Sequence, residues 1–383
     1  MRVYLDHAAT TPVRPEALEA MQPFFSEKYG NASSLHSFGQ EAKEALETSR
    51  ATVAKLVNAA PEQVVFTSSG TESNNTIIKG TAFRAGKGHI LTSSIEHPCI
   101  LNTCKWLETR GFEVTYLPVD TNGIVSPEEF ASALRSDTII ASVMAANNEI
   151  GTIQPIAELQ KIASERGILF HTDAVQTFGK IPLAKTDALT VSSHKLDGPK
   201  GVGMLIGGDF DPLLHGGGHE FNKRSSTENV AGIVGFAKAA ELAFAEMGAE
   251  AKRQTALRDK LIDSLLTIER TQLNGSREKR LPNNVNVWFE FIEGEALVLM
   301  LDADGIAAST GSACSQKELK ASHVLLALGL EAHQAHGSLR LTLGRQNTGE
   351  EIDYALEKIP PVVQRLRKMS PFKKEYEGFE RED

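Results

Sequence analysis

Six short runs between Val64 and about Ile206, rich in β-branched residues, alternate with helical patterns: Val64-Val65-Phe66, His89-Ile90-Leu91, Val114-Thr115-Tyr116-Leu117, Thr138-Ile139-Ile140-Ala141-Ser142-Val143, Ile168-Leu169-Phe170 and Leu189-Thr190-Val191. A strand that is apolar at successive positions has no side left for water, so such strands belong to a sheet covered on both faces. Helical connections make that sheet mostly parallel. The expected fold class is therefore α/β. Helix starts support the alternation: Ser126-Pro127-Glu128-Glu129 reads as a capping box with proline in the first turn, and Pro155 opens a helix from Ile156 to Arg166 that Gly167 ends. A long Ala- and Glu-rich stretch runs from Val230 to about Leu266, and the alternating segments Asn284–Phe289 and Ser338–Leu343 then suggest a smaller sheet. The expected domains are 12–255 for the large one, and 1–11 with 256–383 for a smaller α+β one. No internal repeat or low-complexity linker interrupts them, and the charged tail from Lys373 to Asp383 is expected to fray.

Charge narrows the partners. Forty basic against forty-nine acidic residues give a net charge of −9, with no basic block longer than Arg277-Glu278-Lys279-Arg280, so nucleic acid is not an expected partner. Met1 to His7 is charged too early for a secretion signal, and no apolar stretch approaches the roughly 20 residues that span a bilayer, so a cytoplasmic location without membrane contact is expected. Three cysteines do not make a disulfide framework.

Lys195 lies in Val191-Ser192-Ser193-His194-Lys195-Leu196-Asp197-Gly198-Pro199, placed to leave a strand and enter a site where its amine can form a Schiff base. Asp173 follows Ile168-Leu169-Phe170, at the carboxyl end of a neighbouring strand, where open α/β sheets bind ligands. Thr67-Ser68-Ser69-Gly70-Thr71-Glu72-Ser73-Asn74 opens a helix whose first N–H groups, with Gly70 and Thr71, suit a phosphate, and Ser192, Ser193 and His194 offer a second set of donors. A lysine, a carboxylate for a ring nitrogen and a phosphate cradle are what pyridoxal 5'-phosphate (PLP) requires. Asn148 and Gln176 sit where an amide could reach the ring oxygen, although an Asn there also forms turns and a Gln also faces water. His97, before the helix opened by Pro98, could stack on the ring and move a proton, or be structural. Cys99 and Cys104 fall on the apolar pattern of that helix and are read as core. Cys314 differs, because Ser309-Thr310-Gly311-Ser312-Ala313-Cys314-Ser315 reads as an exposed loop from which a thiolate can attack. Arg340 alternates with Leu339 and Leu341, so its guanidinium projects from the other strand face and could clamp a carboxylate.

In order and spacing these segments resemble the cysteine desulfurases of the NifS/IscS type, within the class V aminotransferase superfamily of fold-type I PLP enzymes. The resemblance runs from Tyr4-Leu5-Asp6-His7-Ala8-Ala9-Thr10-Thr11-Pro12 through Gly30-Asn31-Ala32-Ser33-Ser34, Gly70-Thr71-Glu72-Ser73, Asn147-Asn148-Glu149-Ile150-Gly151 and Ser193-His194-Lys195 to Gly311-Ser312-Ala313-Cys314. It implies a sheet of the seven-stranded type in the large domain, PLP on Lys195, a pyridinium partner at Asp173 and an acid/base or stacking role for His97. It further implies phosphate contacts from Gly70, Thr71, Ser192, Ser193 and His194, and ring-oxygen contacts from Asn148 and Gln176. Thr227 matches a threonine that reaches the phosphate of a partner subunit, so a homodimer is implied. Asn31 and Arg340 match the site for the carboxylate of L-cysteine, and Cys314 the persulfide-forming cysteine that hands sulfur to an iron–sulfur scaffold protein. The usual glycines before the phosphate threonine are here Asn222 and Ser226, and the usual Leu-Glu-Pro-Ser reads Leu319-Lys320-Ala321-Ser322.

The expected activity is conversion of L-cysteine to L-alanine with sulfur transfer to Cys314. The alternatives are a selenocysteine lyase or another class V PLP enzyme, or a non-catalytic sulfur or iron–sulfur carrier using Cys99, Cys104 and Cys314. Cys314 as a transient iron–sulfur ligand shared with a scaffold is compatible with either.

Overall fold

A computed structural model describes residues 1–310 and 321–370. Cys314, the departure at 319–320 and the tail from Lys373 lie outside these described residues. The strands in chain order are β1 (Val3–Tyr4), β2 (Val64–Thr67), β3 (His89–Ser93), β4 (Glu113–Leu117), β5 (Thr138–Ser142), β6 (Leu169–Asp173), β7 (Ala188–Ser192), β8 (Gly203–Gly207), β9 (Thr271–Leu273), β10 (Asn284–Phe289), β11 (Ile306–Ala307) and β12 (Ser338–Thr342). The α-helices are α1 (Pro15–Met21), α2 (Pro23–Ser26), α3 (Ser37–Leu56), α4 (Gly70–Ala85), α5 (Pro98–Glu108), α6 (Pro127–Ala133), α7 (Ile156–Glu165), α8 (Val230–Leu265), α9 (Gly294–Ala303), α10 (His323–Ala327), α11 (Ala332–His336) and α12 (Gly349–Met369).

One sheet has seven strands in the order β2-β8-β7-β6-β5-β3-β4. Strands β3 to β7 are parallel, as the covered apolar runs predict, while β8 is antiparallel to both β2 and β7. The reversal has a local cause. Residues 193–202 hold turns rather than a crossover helix, and a connection that short can only return a strand antiparallel. Successive strand residues feed different layers: Val64 and Phe66 pack with Leu46 and Val53 of α3 and Phe236 of α8, whereas Val65 packs with Ile77 and Ile78 of α4 and Ile100 of α5. Each such side chain, fully buried, contributes roughly 1.5–3 kcal/mol from apolar transfer, which is why both faces must be apolar.

Strands β9, β10 and β12 form a second, antiparallel sheet, and β1 pairs with β11. Its core takes Leu261, Ile262 and Leu265 from α8, Leu297 and Leu301 from α9, and Ile352, Ile359 and Val363 from α12. Because Phe236 and Ala240 of α8 belong to the large core, one continuous helix serves both, and position 255 falls inside it. The N-terminal segment also ties the sheets together: Thr342 N–H donates to Leu5 O at 2.7 Å, and Thr11 N–H to His194 O at 2.9 Å. No described helix is long and apolar enough to cross a membrane.

Candidate active site

The chain ends of β2, β3, β5, β6 and β7 open onto a cavity of ≈ 320 Å³. A single 3₁₀ turn, Ser193–Lys195, follows β7 and delivers the lysine to it. Ser193 N–H holds Val202 O and Gly198 N–H holds Ser193 O. A Cβ at Gly198 would stand 2.2 Å from Ser193 Oγ, so the turn closes only around glycine. Lys195 Nζ donates to Ala8 O at 2.6 Å and Ala9 O at 2.8 Å, which makes the N-terminal segment the wall behind the amine.

Asp173 ends the adjacent strand, in register with Thr190 of β7. Its Oδ1 accepts from Val175 N–H at 2.9 Å and its Oδ2 from Asn74 Nδ2 at 2.7 Å. Burial pushes this carboxyl up, and the Val175 N–H, His97, Asn74 and Lys195 pull it back toward the charged form. His97 is the N-cap of α5, its Nδ1 accepting from Cys99 N–H at 3.2 Å. Burial lowers its pKa, with Asp173 opposing, so the ring is neutral at working pH and its proton sits on Nε2, facing away from the backbone contact.

At the other end of the cavity α4 begins. Ser69 caps it by accepting from Glu72 N–H, and the Glu72 carboxylate is occupied by Ser68 and by Arg224 Nε at 2.8 Å, so no free acidic charge opposes an anion there. A Cβ on Gly70 would come within 2.9 Å of Val175 Cγ2 and 3.3 Å of Ser192 Cβ, so glycine keeps this cradle open. His194, its Nδ1 within 3.1 Å of Thr10 Oγ1, is lowered to about 4 by burial and then by the nearby lysines, which leaves it a neutral donor. From β12 Arg340 enters buried, with Nη2 on Asp6 Oδ1 at 2.8 Å and Nη1 on Asn148 O at 3.2 Å, while its buried Nε has no partner among the described residues.

Gly70, Thr71, His97, Asn148, Asp173, Gln176, Ser192, His194, Lys195 and Arg340 thus line one cavity. Asn147 makes the turn after β5, its Oδ1 accepting from Glu149 and Ile150 N–H, which frees Asn148 to face the cavity. Gln176 is buried rather than solvated, with Nε2 on Ala8 O at 3.1 Å. Ser193 does not line the cavity: it alternates with Ser192 across the turn, and its buried Oγ faces Gly198 without a partner among the described residues. Asn31 and Thr227 are exposed and outside the cavity of their own chain, Asn31 Oδ1 accepting from Ser33 N–H. Cys104 is core, as expected, but Cys99 is not only that, because the first turn of α5 holds its thiol in the cavity wall. Both thiols are pushed up to about 12, chiefly by burial, which leaves them protonated and poor metal ligands. No group of three or more metal-ligating side chains occurs among the described residues. Sequence reasoning missed Asn74 and Asp6. Asn74 carried a signal, since it stands four residues after Gly70 on the same helix face.

The residues fit PLP. A lysine amine, a buried carboxylate one strand away and a helix N-terminus kept open by glycine share a cavity of suitable size, with neutral imidazoles between them. A second cavity of ≈ 360 Å³, under Ile156 and Leu183, is mostly apolar and holds none of these groups.

Over residues 3–355 the chain matches the family described as aminotransferase class-V. It is 54% identical, over 98% of its length and 95% of the other, to the cysteine desulfurase IscS of Methanosarcina thermophila. It is 52% identical, over 98% of both chains, to the cysteine desulfurase IscS of Dictyoglomus turgidum. A solved structure of a NifS-like protein superposes with a TM-score of 0.90 at 42% identity, covering 96% of this chain and 100% of that one. With sequence and fold agreeing over nearly its whole length, the chain belongs to the class-V aminotransferase family and, within it, to the PLP-dependent cysteine desulfurases of the NifS/IscS type.

Proposed function

We propose that the chain converts L-cysteine to L-alanine at the cavity around Lys195 and carries the sulfur away on Cys314 to an iron–sulfur scaffold protein. What supports these roles is one meeting of groups: Lys195 Nζ against two carbonyls, the Asp173 carboxylate on the next strand, and the Arg340 guanidinium held by Asp6, all on one cavity.

When bound, PLP supplies a sink for the charge left on an amino acid's α-carbon. Gly70, Thr71, Ser192 and His194 would hold its phosphate, Asn148 and Gln176 would serve its ring oxygen, and Asp173 would keep its ring nitrogen protonated. Arg340 offers its guanidinium to the substrate carboxylate, with Asp6 on Nη2 fixing its orientation. Lys195, from its place against Ala8 and Ala9, takes the substrate's α-proton. Neutral His97, with Nδ1 accepting from Cys99 N–H, donates its Nε2 proton to the substrate. The Cys314 thiolate attacks the substrate sulfur: the S–S bond forms, the C–S bond breaks with its electrons on carbon, and that carbon is protonated and leaves in alanine. Cys314 also serves as a transient cluster ligand when the scaffold is docked. Thr227 reaches the partner's phosphate site, consistent with its exposure here and with the exposed Leu35, Phe38, Leu214 and Phe221 in the flanking segments.

Incubating holoenzyme with ³⁵S-labelled cysteine and mapping peptides tests the reading. Label on Cys314 with matching alanine is expected; Lys195→Ala gives neither, and Cys314→Ser binds cysteine yet releases no sulfide. Full sulfide release by Cys314→Ser, or label on Cys99, overturns it.

A further inference from the structure

We infer that Asn74 is a positioning residue that orients the Asp173 carboxylate and keeps it charged, and that Thr190 braces the Asn74 amide from its far side. The inference rests on PLP binding at Lys195 with its ring nitrogen against Asp173.

Asn74 lies one turn beyond Gly70, so the helix that frames the phosphate end also presents this side chain to the sheet. Its Nδ2 donates to Asp173 Oδ2 at 2.7 Å and to Cys99 Sγ at 3.3 Å, and its Oδ1 accepts from Thr190 Oγ1 at 2.5 Å. All three partners of the chain are buried: Thr190 is 0%, Asn74 1% and Asp173 6% exposed. Thr190 is moreover the register partner of Asp173, so the relay closes a loop between β6, β7 and α4.

The chemistry allows one arrangement. A carboxylate only accepts, so the amide must turn its nitrogen to Asp173, which leaves its oxygen to accept from the Thr190 hydroxyl, and that second bond braces the amide in place. A flipped amide would set oxygen against carboxylate oxygen in a low-dielectric interior, where the repulsion is strong. A buried carboxylate is costly unless donors satisfy it. Asp173 has the Val175 N–H on one oxygen and Asn74 on the other, and only the second is a side chain that substitution can remove. Without it Oδ2 loses its donor, proton uptake becomes the cheaper state, and the ring nitrogen loses its anionic partner.

Holoenzyme loaded with PLP carrying ¹⁵N in the ring reports this directly, because the nitrogen resonance separates pyridinium from neutral pyridine. Wild type gives the pyridinium signal. In Asn74→Leu, similar in volume but without a donor, the signal moves toward neutral pyridine, and apoenzyme titration shows PLP affinity weakened about 10- to 100-fold, the scale of a lost hydrogen bond to a charged group. Thr190→Val moves both readouts the same way by less, and Thr190→Ser restores them. If nitrogen signal and affinity in both Asn74→Leu and Thr190→Val match wild type, the inference fails; should Asn74→Leu not fold, Thr190→Val against Thr190→Ser carries the test alone. A wild-type protein without a PLP adduct on Lys195, or with neutral pyridine, instead overturns the reading beneath it.

Discussion

Glu96, the residue before His97, shows how far the site's surroundings depart from ordinary ionisation. Its Oε1 accepts from Ser93 Oγ at 2.6 Å and Met144 N–H at 2.8 Å, but its buried Oε2 has no partner among the described residues, and burial, reinforced by the Asp173 charge, pushes the carboxyl up to about 8. The free-chain value is 4.5, so between pH 4.5 and about 8 the folded protein keeps a proton that the unfolded chain has released. Stability must therefore fall as pH rises through that window and level off above it. Glu96→Gln, which keeps the two accepted hydrogen bonds, removes this slope, and the advantage of the variant grows to a few kcal/mol, roughly, by pH 8. Denaturant midpoints of both proteins at pH 5, 6, 7 and 8 measure it; parallel profiles would remove Glu96 as the titrating group. Nothing in Ile95-Glu96-His97 distinguishes a buried carboxyl from a solvated one, because burial is set by Met144 and α10, distant in sequence. Asp173, Lys195 and His97 were legible for the opposite reason: each follows an apolar strand, and the ends of parallel strands share one edge. Asp6, bound to Arg340 across more than three hundred residues, had no such local mark.

The segment between β8 and α8 explains at the level of an element what the departures Asn222 and Ser226 do. Glu220, Phe221 and Asn222 take φ of 47°, 59° and 63°, and Ser226 takes 149°, so the backbone keeps left-handed conformations that glycine would adopt freely. The strain at Glu220 is held by a buried ion pair, its two oxygens on Arg50 Nη1 and Nη2 at 2.7 and 2.8 Å, with Phe66 N–H donating as well. Asn tolerates the left-handed region; Ser at 149° does not. Ser226→Gly should accordingly stabilise the protein by about 1 kcal/mol, the size of a relieved backbone conformation after glycine's own entropy is deducted, while Asn222→Gly should change little. Thermal and denaturant unfolding of the two variants decide the matter, and equal effects would mean that φ is not what distinguishes them. Element identity was readable because apolar period, proline starts and glycine stops agree along α6, α7 and β2 to β7. The direction of β8 was not, since it depends on the length of the turn region that delivers Lys195 rather than on the strand's own residues.

At the scale of the whole molecule, assembly turns on Thr227. In its own chain it is exposed and outside the cavity, while Arg224, three residues earlier, is clamped to Glu72 at the start of α4 through Nε at 2.8 Å and Nη2 at 3.3 Å. The segment is thus fixed at the rim of the phosphate end yet points Thr227 outward, next to the exposed Leu214 and Phe221 of the same stretch, and Leu35, 95% exposed, adds a further apolar side chain in the segment of Asn31. Isolated surface leucines need no explanation, but apolar residues in both segments that carry ligand-type side chains are what a self-complementary two-fold contact would bury. If Thr227 completes the neighbouring phosphate site, two inactive chains can repair each other. A dimer mixing Lys195→Ala with Thr227→Ala holds one site with neither group and one with both, Lys195 from one chain and Thr227 from the other. Co-expressed with two tags and purified as the mixed species, it should form alanine at about half the wild-type rate, one intact site of two. Were Thr227 to act within its own chain, no site in the mixed dimer would have both groups, and activity would not exceed that of one site in a Thr227→Ala homodimer. The resemblance in sequence implies this role for Thr227, whereas packing within one chain does not, since a residue that works in another copy leaves no packing trace in its own.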